Sequence, residues 1–298
     1  MRSRLIYASC YAAAVVLLLY YMTTLITNER EILWFANSLT SPSIPRKIWQ
    51  TWKQPATDIQ DHDLRRYATS WAKLNPGYRY ELLTDTAAKR FVANAFTERP
   101  DITSTFERID DAILRADVLR YLVILAEGGL YTDIDTECTK PIDTWLTSEF
   151  HRSSGLVLGI EYDATAGAPA EFNASLSICQ WTFMARPDHP VMQAVVDAVI
   201  QELQRHTTSH NTIVAEEGAD IFTRAVLDSL RRAVDGSFEP EDLARLTQPK
   251  LFGDVLVLPV SAFGSGQAHS GSKPWGNEDQ LLSHHFLMSW RNEHGVGW

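Results

Sequence analysis

Cysteine is scarce in this chain, with only Cys10, Cys138 and Cys179 among 298 residues. Three so widely scattered exclude a disulfide-built scaffold and a cysteine-ligated zinc site. Cys10 falls in an apolar N-terminal run, which leaves Cys138 and Cys179 either as one disulfide or as two free buried thiols, and both readings stand. Positive charge is also short. Lys and Arg number 27 against 37 Asp and Glu, for a net charge of −10 with no basic stripe, which argues against a nucleic-acid partner. Internal repeats and low-complexity stretches are missing, and no second long apolar run follows the first. What remains is long enough to bury a full core and fits one large α/β domain better than two.

The apolar run is Leu5–Ile26, LIYASCYAAAVVLLLYYMTTLI, without one charged residue. About 20 residues suffice to cross a bilayer as a helix, so this segment reads as a membrane anchor. Arg2 and Arg4 precede it and mixed charge follows at Asn28–Glu31, so the positive-inside rule leaves residues 1–4 as a cytosolic tail and puts the body across the membrane. A cleaved signal peptide is the competing reading, but the run exceeds the usual h-region and no A-x-A site follows. Residues 27–43 then form a stem, and residues 44–298 the folded domain. Asn173-Ala174-Ser175 is a glycosylation sequon that is usable only if the body is lumenal.

Within the body, Lys47–Thr51 reads as the first buried strand, following Pro45, and His62–Leu74 as a helix. Tyr78–Leu83 is a second strand and Asp85–Asn94 a helix capped by Thr84 or Asp85. Further on, Leu156–Tyr162, Leu176–Met184 and Val255–Val260 read as strands, with helices over Pro187–His206 and Ala219–Val234. This alternation predicts an α/β fold with a mostly parallel sheet and helices on both faces. Ser261–Trp275, rich in Gly and Ser, reads as a loop: a lid, or plain surface.

The densest chemistry lies in Arg115–Asp143, RADVLRYLVILAEGGLYTDIDTECTKPID. Residues i, i+3 and i+4 share a helix face, so Asp117, Arg120 and Tyr121 can point together into a cleft. Gly128 stops the helix, and in the extended segment that follows, Asp133 and Asp135 aim at one point while Ile134 faces the core. Paired oxygen ligands suit a hard divalent cation such as Mg²⁺ or Mn²⁺, completed by water and substrate phosphates. An acidic protein that binds a diphosphate also has like-charge repulsion to overcome, which such an ion relieves. A solvated turn is the alternative for an isolated Asp-x-Asp, and the Asp117/Arg120 pair alone would be a surface ion pair of about 0.3–0.5 kcal/mol.

Taken together, "IPRKIWQTW" (44–52), "DVLRY…GGLYTDID" (117–135) and "HHF..SW" (284–290) resemble glycosyltransferase family 32, which includes Golgi initiation-specific α-1,6-mannosyltransferases of fungi. The resemblance covers about Ile44–Arg291. It implies a GT-A fold, a Rossmann-like domain that binds nucleotide-diphospho-sugars. It further implies Trp49 against the nucleotide base, one of His284 and His285 as third metal ligand with His285 favoured, and Ser289 and Trp290 near the diphosphate. Asp117 and Arg120 would then hold sugar hydroxyls, with Mn²⁺ (or Mg²⁺) between Asp133, Asp135 and His285. The chain departs from the pattern at Met288, where many relatives carry glycine.

The function so implied is mannose transfer from GDP-mannose to a glycan acceptor by a single-pass type II Golgi membrane enzyme. Its membrane span is the N-terminal one, and the reading leaves room for a complex with other Golgi glycosyltransferases. Inositol phosphoceramide is the rival acceptor within the family, and other hexose donors such as UDP-galactose remain open. From other classes, the same carboxylates would serve a membrane-tethered glycan-binding module, whereas a glycosidase needs its carboxyls at least about 5 Å apart across the scissile bond.

Overall fold

The computed structural model describes residues 43–166, 175–205, 212–233, 237–267 and 270–287. The expected anchor Leu5–Ile26, the stem up to residue 42, Cys10, Asn173, Met288, Ser289 and Trp290 lie outside the described residues. No helix among the described residues is long and apolar enough to cross a membrane.

Strand β1 (Lys47–Thr51) opens the domain and buries Ile48, Trp49 and Gln50. Helix α1 (His62–Leu74) starts where the Asp61 carboxylate accepts the backbone N–H groups of Asp63 and Leu64, at 2.8 and 3.0 Å. Leu64, Tyr67, Ala68 and Trp71 recur at helical spacing and form its buried face. After β2 (Arg79–Leu83), the Thr84 side chain caps α2 (Asp85–Ala95), and Pro100 takes the first turn of α3 (Pro100–Glu107), where its missing N–H costs nothing.

Helix α4 (Ala112–Glu127) is the central one. Leu122, Val123, Ile124 and Leu125 run consecutively and are at most 2% exposed, so α4 is covered on several sides. Each such side chain contributes roughly 1.5–3 kcal/mol on burial. The helix stops at Gly128, whose φ of 65° and tight surroundings exclude other residues: a Cβ there would stand 2.7 Å from the Ala185 carbonyl oxygen.

From that stop the chain enters β3 (Gly129–Thr132), then β4 (Thr136–Cys138). A short helix α5 (Ser148–Ser153) leads to β5 (Leu156–Asp163), β6 (Leu176–Ile178) and β7 (Thr182–Ala185). Helices α6 (Pro190–Arg205) and α7 (Thr212–Ala233) follow, then β8 (Lys250–Phe252), β9 (Val255–Leu258), α8 (Val260–Gly264) and β10 (Leu282–His284).

The main sheet runs β2-β1-β3-β7-β5-β9-β8, with β6 alongside β5. It is mixed, which corrects the mostly parallel sheet expected. Pairings β1/β2, β1/β3 and β5/β9 are parallel, while β3/β7, β5/β7, β5/β6 and β8/β9 are antiparallel. For β8/β9 connection length is the cause: only Gly253 and Asp254 join them, and two residues can close a hairpin but not a parallel crossover. The single strand expected over Leu176–Met184 divides at Cys179–Trp181, because β6 pairs with β5 alone while β7 sits between β3 and β5. Part of the expected Ser261–Trp275 loop is the buried helix α8. Cys138 and Cys179 are both free and buried, which settles the open question of their pairing.

The parallel part, β2-β1-β3, ends its strands on one side, and there the functional side chains collect. A separate two-stranded ladder, β4 antiparallel to β10, brings residues 282–284 against 136–138 and so closes that side.

Candidate active site

Asp133 follows the last residue of β3, and its backbone is fixed from both directions: its N–H donates to the Trp181 carbonyl at 2.9 Å and its carbonyl accepts the Gln50 side-chain amide at 2.9 Å. Its carboxylate is therefore aimed by the sheet. Oδ1 accepts the Tyr131 hydroxyl at 2.8 Å and the Arg120 guanidinium at 3.0 Å. Arg120, only 6% exposed, also reaches Asp117 Oδ1 at 2.7 Å, so one buried cation bridges two carboxylates.

Burial pushes the Asp117 carboxyl up to about 6, against the pull of Arg120, and burial likewise raises Asp133. Asp135 moves the other way. Burial would raise it, but the hydrogen bond and charge of His284 and the Leu287 N–H hold it below the usual carboxylate range. The geometry agrees: His284 Nε2 lies 3.1 Å from Asp135 Oδ1, and the Leu287 N–H donates to Oδ2 at 3.0 Å. That last bond is made possible by Phe286, whose φ of 43° places it in the left-handed region at a cost on the order of 1–2 kcal/mol.

Asp133, Asp135 and His284 each offer a ligand atom, and the three atoms lie within 4.8 Å of one another. Two carboxylates with one imidazole fit a divalent cation. His284 also keeps a buried Nδ1 with no hydrogen-bond partner among the described residues. Asp117, Arg120, Asp133, Asp135 and His284 all line one cavity of about 240 Å³.

Three expected site residues are elsewhere. His285, favoured from the resemblance as the metal ligand, is not in the cluster; His284 takes that place. The ring of His285 stacks on Tyr67 at 3.8 Å between centroids, and its Nε2 lies 3.2 Å from Glu137, which Arg66 holds at 2.5 Å. Successive residues at the end of β10 point apart, so only one of the two imidazoles can face Asp135.

Trp49 is also misplaced by expectation. It sits in mid-strand, 2% exposed, with its indole N–H donating to the Gly128 carbonyl at 2.9 Å and Lys47 Nζ lying 3.6 Å from its ring centroid. The residue beyond the carboxyl end of β1 is Trp52, and it does line the cavity. The strand bounds Lys47–Thr51 already contained this signal, because an end-of-strand position cannot be the third residue of five.

Tyr121 is a core residue. Its ring stacks on Phe222 at 5.3 Å and its hydroxyl bonds the Gln180 side chain. At about 100° per residue, Arg120 lies some 60° to one side of Asp117 and Tyr121 some 40° to the other. Ile113, Ala116 and Arg120 define the cleft side, so Tyr121 turns inward. Leu83, Asp85 and Ala88 are cavity residues that no sequence motif had singled out, and Trp52 and Phe286, which lie inside two of the motifs, line it without having been given a role.

Residues 61–151 match the family described as "Glycosyltransferase sugar-binding region containing DXD motif". An initiation-specific α-1,6-mannosyltransferase of Schizosaccharomyces pombe is 33% identical over 260 residues, covering 84% of this chain and 64% of that protein. One from Candida albicans is 28% identical over 284 residues, covering 85% of this chain and 74% of the relative. A mannosyl phosphorylinositol ceramide synthase of Saccharomyces cerevisiae is 32% identical over 126 residues, 42% of this chain.

Proposed function

We propose, from the match of residues 61–151 to the glycosyltransferase sugar-binding region containing a DXD motif, that this protein is a divalent-metal-dependent mannosyltransferase. The donor is GDP-mannose, the acceptor a glycan, the new linkage α-1,6, and the setting the Golgi membrane with the body lumenal. One observation carries the enzymatic reading: Asp133, Asp135 and His284 converge within 4.8 Å at the carboxyl side of the sheet, in the same cavity as Asp117 and Arg120. Breadth of similarity favours the glycan acceptor over a phosphoceramide, since the α-1,6-mannosyltransferase of S. pombe matches 84% of the chain and the ceramide enzyme 42%.

When bound by Asp133, Asp135 and His284, the cation would supply Lewis-acid neutralisation of the charge that develops on the departing diphosphate. The chain's own residues do the rest. Asp117, with its carboxyl near 6, is mostly ionised at neutral pH and accepts a sugar hydroxyl proton in a hydrogen bond. Arg120 donates to the sugar from a guanidinium already fixed by two carboxylates, so little side-chain entropy is lost on binding. Tyr131 keeps Asp133 turned toward the cavity. Glu137 and Arg66 hold His285, which anchors the chain beside His284.

The test is a panel of nucleotide sugars incubated with the purified full chain, Mn²⁺ and a mannoside acceptor, with nucleoside diphosphate release measured against Asp135→Ala. Release of GDP from GDP-mannose, lost in the variant and in EDTA, is expected. Equal turnover by the two proteins sinks the metal assignment, and turnover with another sugar alone replaces the donor.

A further inference from the structure

The cavity does not end at the metal-type cluster. It continues across the carboxyl ends of β1 and β2 to Trp52, Leu83 and Asp85. Strands in a sheet stand about 4.8 Å apart, so a residue beyond β2 lies two spacings, roughly 10 Å, from the end of β3 where Asp133 sits. That is about what a ribose and the width of a base span from a diphosphate held at Asp133 and Asp135.

Asp85 is the unusual member of this end. It lines the cavity, yet its carboxylate makes no hydrogen bond or ion pair with any described residue, in contrast to Asp117, Asp133 and Asp135. Three alanines line the cavity with it, Ala88 one turn on along α2 and Ala112 and Ala116 from α4, beside the larger Lys53, Leu83 and Ile113. Small side chains leave width for a bicyclic ring, and an acceptor pair among them selects a ligand edge that donates twice. Trp52 lines the same end and keeps a buried indole N–H with no partner among the described residues. A base carbonyl would satisfy it.

We propose that Asp85 reads the donor's base, its two carboxylate oxygens accepting the N1–H and exocyclic 2-amino group of guanine, with the Trp52 indole N–H donating to the base. This rests on the nucleotide-sugar reading above and deepens it to a named residue and a named chemical edge. Guanine presents two adjacent donors, hypoxanthine one, and uracil one between two carbonyls. Adenine presents a bare ring nitrogen that a carboxylate repels. A site built to accept N–H groups rejects analogues lacking them, because its carboxylate is left unpaired.

The experiment measures binding of GDP, IDP, UDP and ADP to the full chain by calorimetry in saturating Mn²⁺, for the native protein, Asp85→Asn and Asp85→Ala. In the native protein GDP should bind about tenfold tighter than IDP, with ADP weakest, and both variants should bring GDP and IDP within about twofold. Asp85 occupies the first helical position after the Thr84 cap, so a merely structural role would weaken all four nucleotides alike and leave the GDP/IDP ratio unchanged. Equal GDP and IDP affinity in the native protein, or a ratio that survives both substitutions, overturns the role of Asp85 while leaving the transferase standing. Failure of every nucleotide to bind overturns the transferase reading as well.

Discussion

Replacing Arg120 with methionine tests the electrostatic frame of the site most directly. The guanidinium is 6% exposed and bonds Asp117 at 2.7 Å and Asp133 at 3.0 Å. Methionine fills much of the same volume but leaves two nearby carboxylates without their shared cation. Removing one member of a buried ion pair costs about 3–5 kcal/mol, which agrees with two charge-assisted hydrogen bonds at ~1.5–3 kcal/mol each. For a domain of this size, with about 2–4 °C per kcal/mol, the melting temperature at pH 7.5 should fall by about 6–20 °C.

The loss should also depend on pH in a definite direction. Burial already raises Asp117 to about 6, and Arg120 works against that rise, so its removal lifts the carboxyl further. In the unfolded chain the group titrates near 3.9. Between those values the folded variant binds more protons than the unfolded one, so its stability increases as pH falls toward about 4 and is lost as pH rises through the folded value. Differential scanning fluorimetry at pH 7.5 and 5.0 should therefore show a smaller deficit at the lower pH. Adding Asp117→Asn should recover part of the loss at pH 7.5. A melting shift under about 2 °C, or a deficit that ignores both pH and Asp117→Asn, would show that these groups are solvated and uncoupled.

The two imidazoles should separate cleanly by Mn²⁺ titration: His284→Ala should weaken binding more than about a hundredfold, and His285→Ala only about tenfold, the scale of a supporting residue. Equal losses would contradict the placement of His284 in the cluster. Trp49→Phe should cost about 1–3 kcal/mol by leaving the Gly128 carbonyl unpaired, with GDP affinity unchanged in calorimetry; a nucleotide defect without destabilisation would return Trp49 to the binding site. Gly128→Ala should destabilise by more than about 2 kcal/mol in urea titration, since its Cβ would meet backbone at 2.7 Å in a left-handed conformation. A neutral substitution there would show that the helix end can relax.

Much of this is legible in the sequence. Lys47–Thr51, His62–Leu74 and the α4-glycine-β3 sequence follow from local pattern, and the structure has them where hydrophobic spacing and capping residues put them. Asp117, Arg120, Asp133 and Asp135 do share a cavity, because each pair is close in sequence and a single helix face or strand end fixes it. What pattern could not carry was direction and distance. A buried run of four residues pairs equally well either way, so the antiparallel placement of β7 in the middle of the sheet left no trace in its composition. Tyr121 shares helical spacing with Asp117, but which side of that face is covered depends on Phe222, a residue about a hundred positions later. His284 and His285 are adjacent and chemically identical, and only the partner strand β4 distinguishes them.

That dependence bears on how the protein is made. Asp135 and His284 stand 149 residues apart in sequence, and contacts of such separation are slow to form. A ribosome will have exposed the acidic half of the cation cluster long before the imidazole emerges, and β4 must wait unpaired for β10. A nascent chain interrupted ahead of Leu282 already contains every strand of the main sheet but neither β10 nor the third member of the cluster. Molecules stopped that late would carry the strands of the main sheet without the two elements, β10 and the imidazole of His284, that finish the cation cluster.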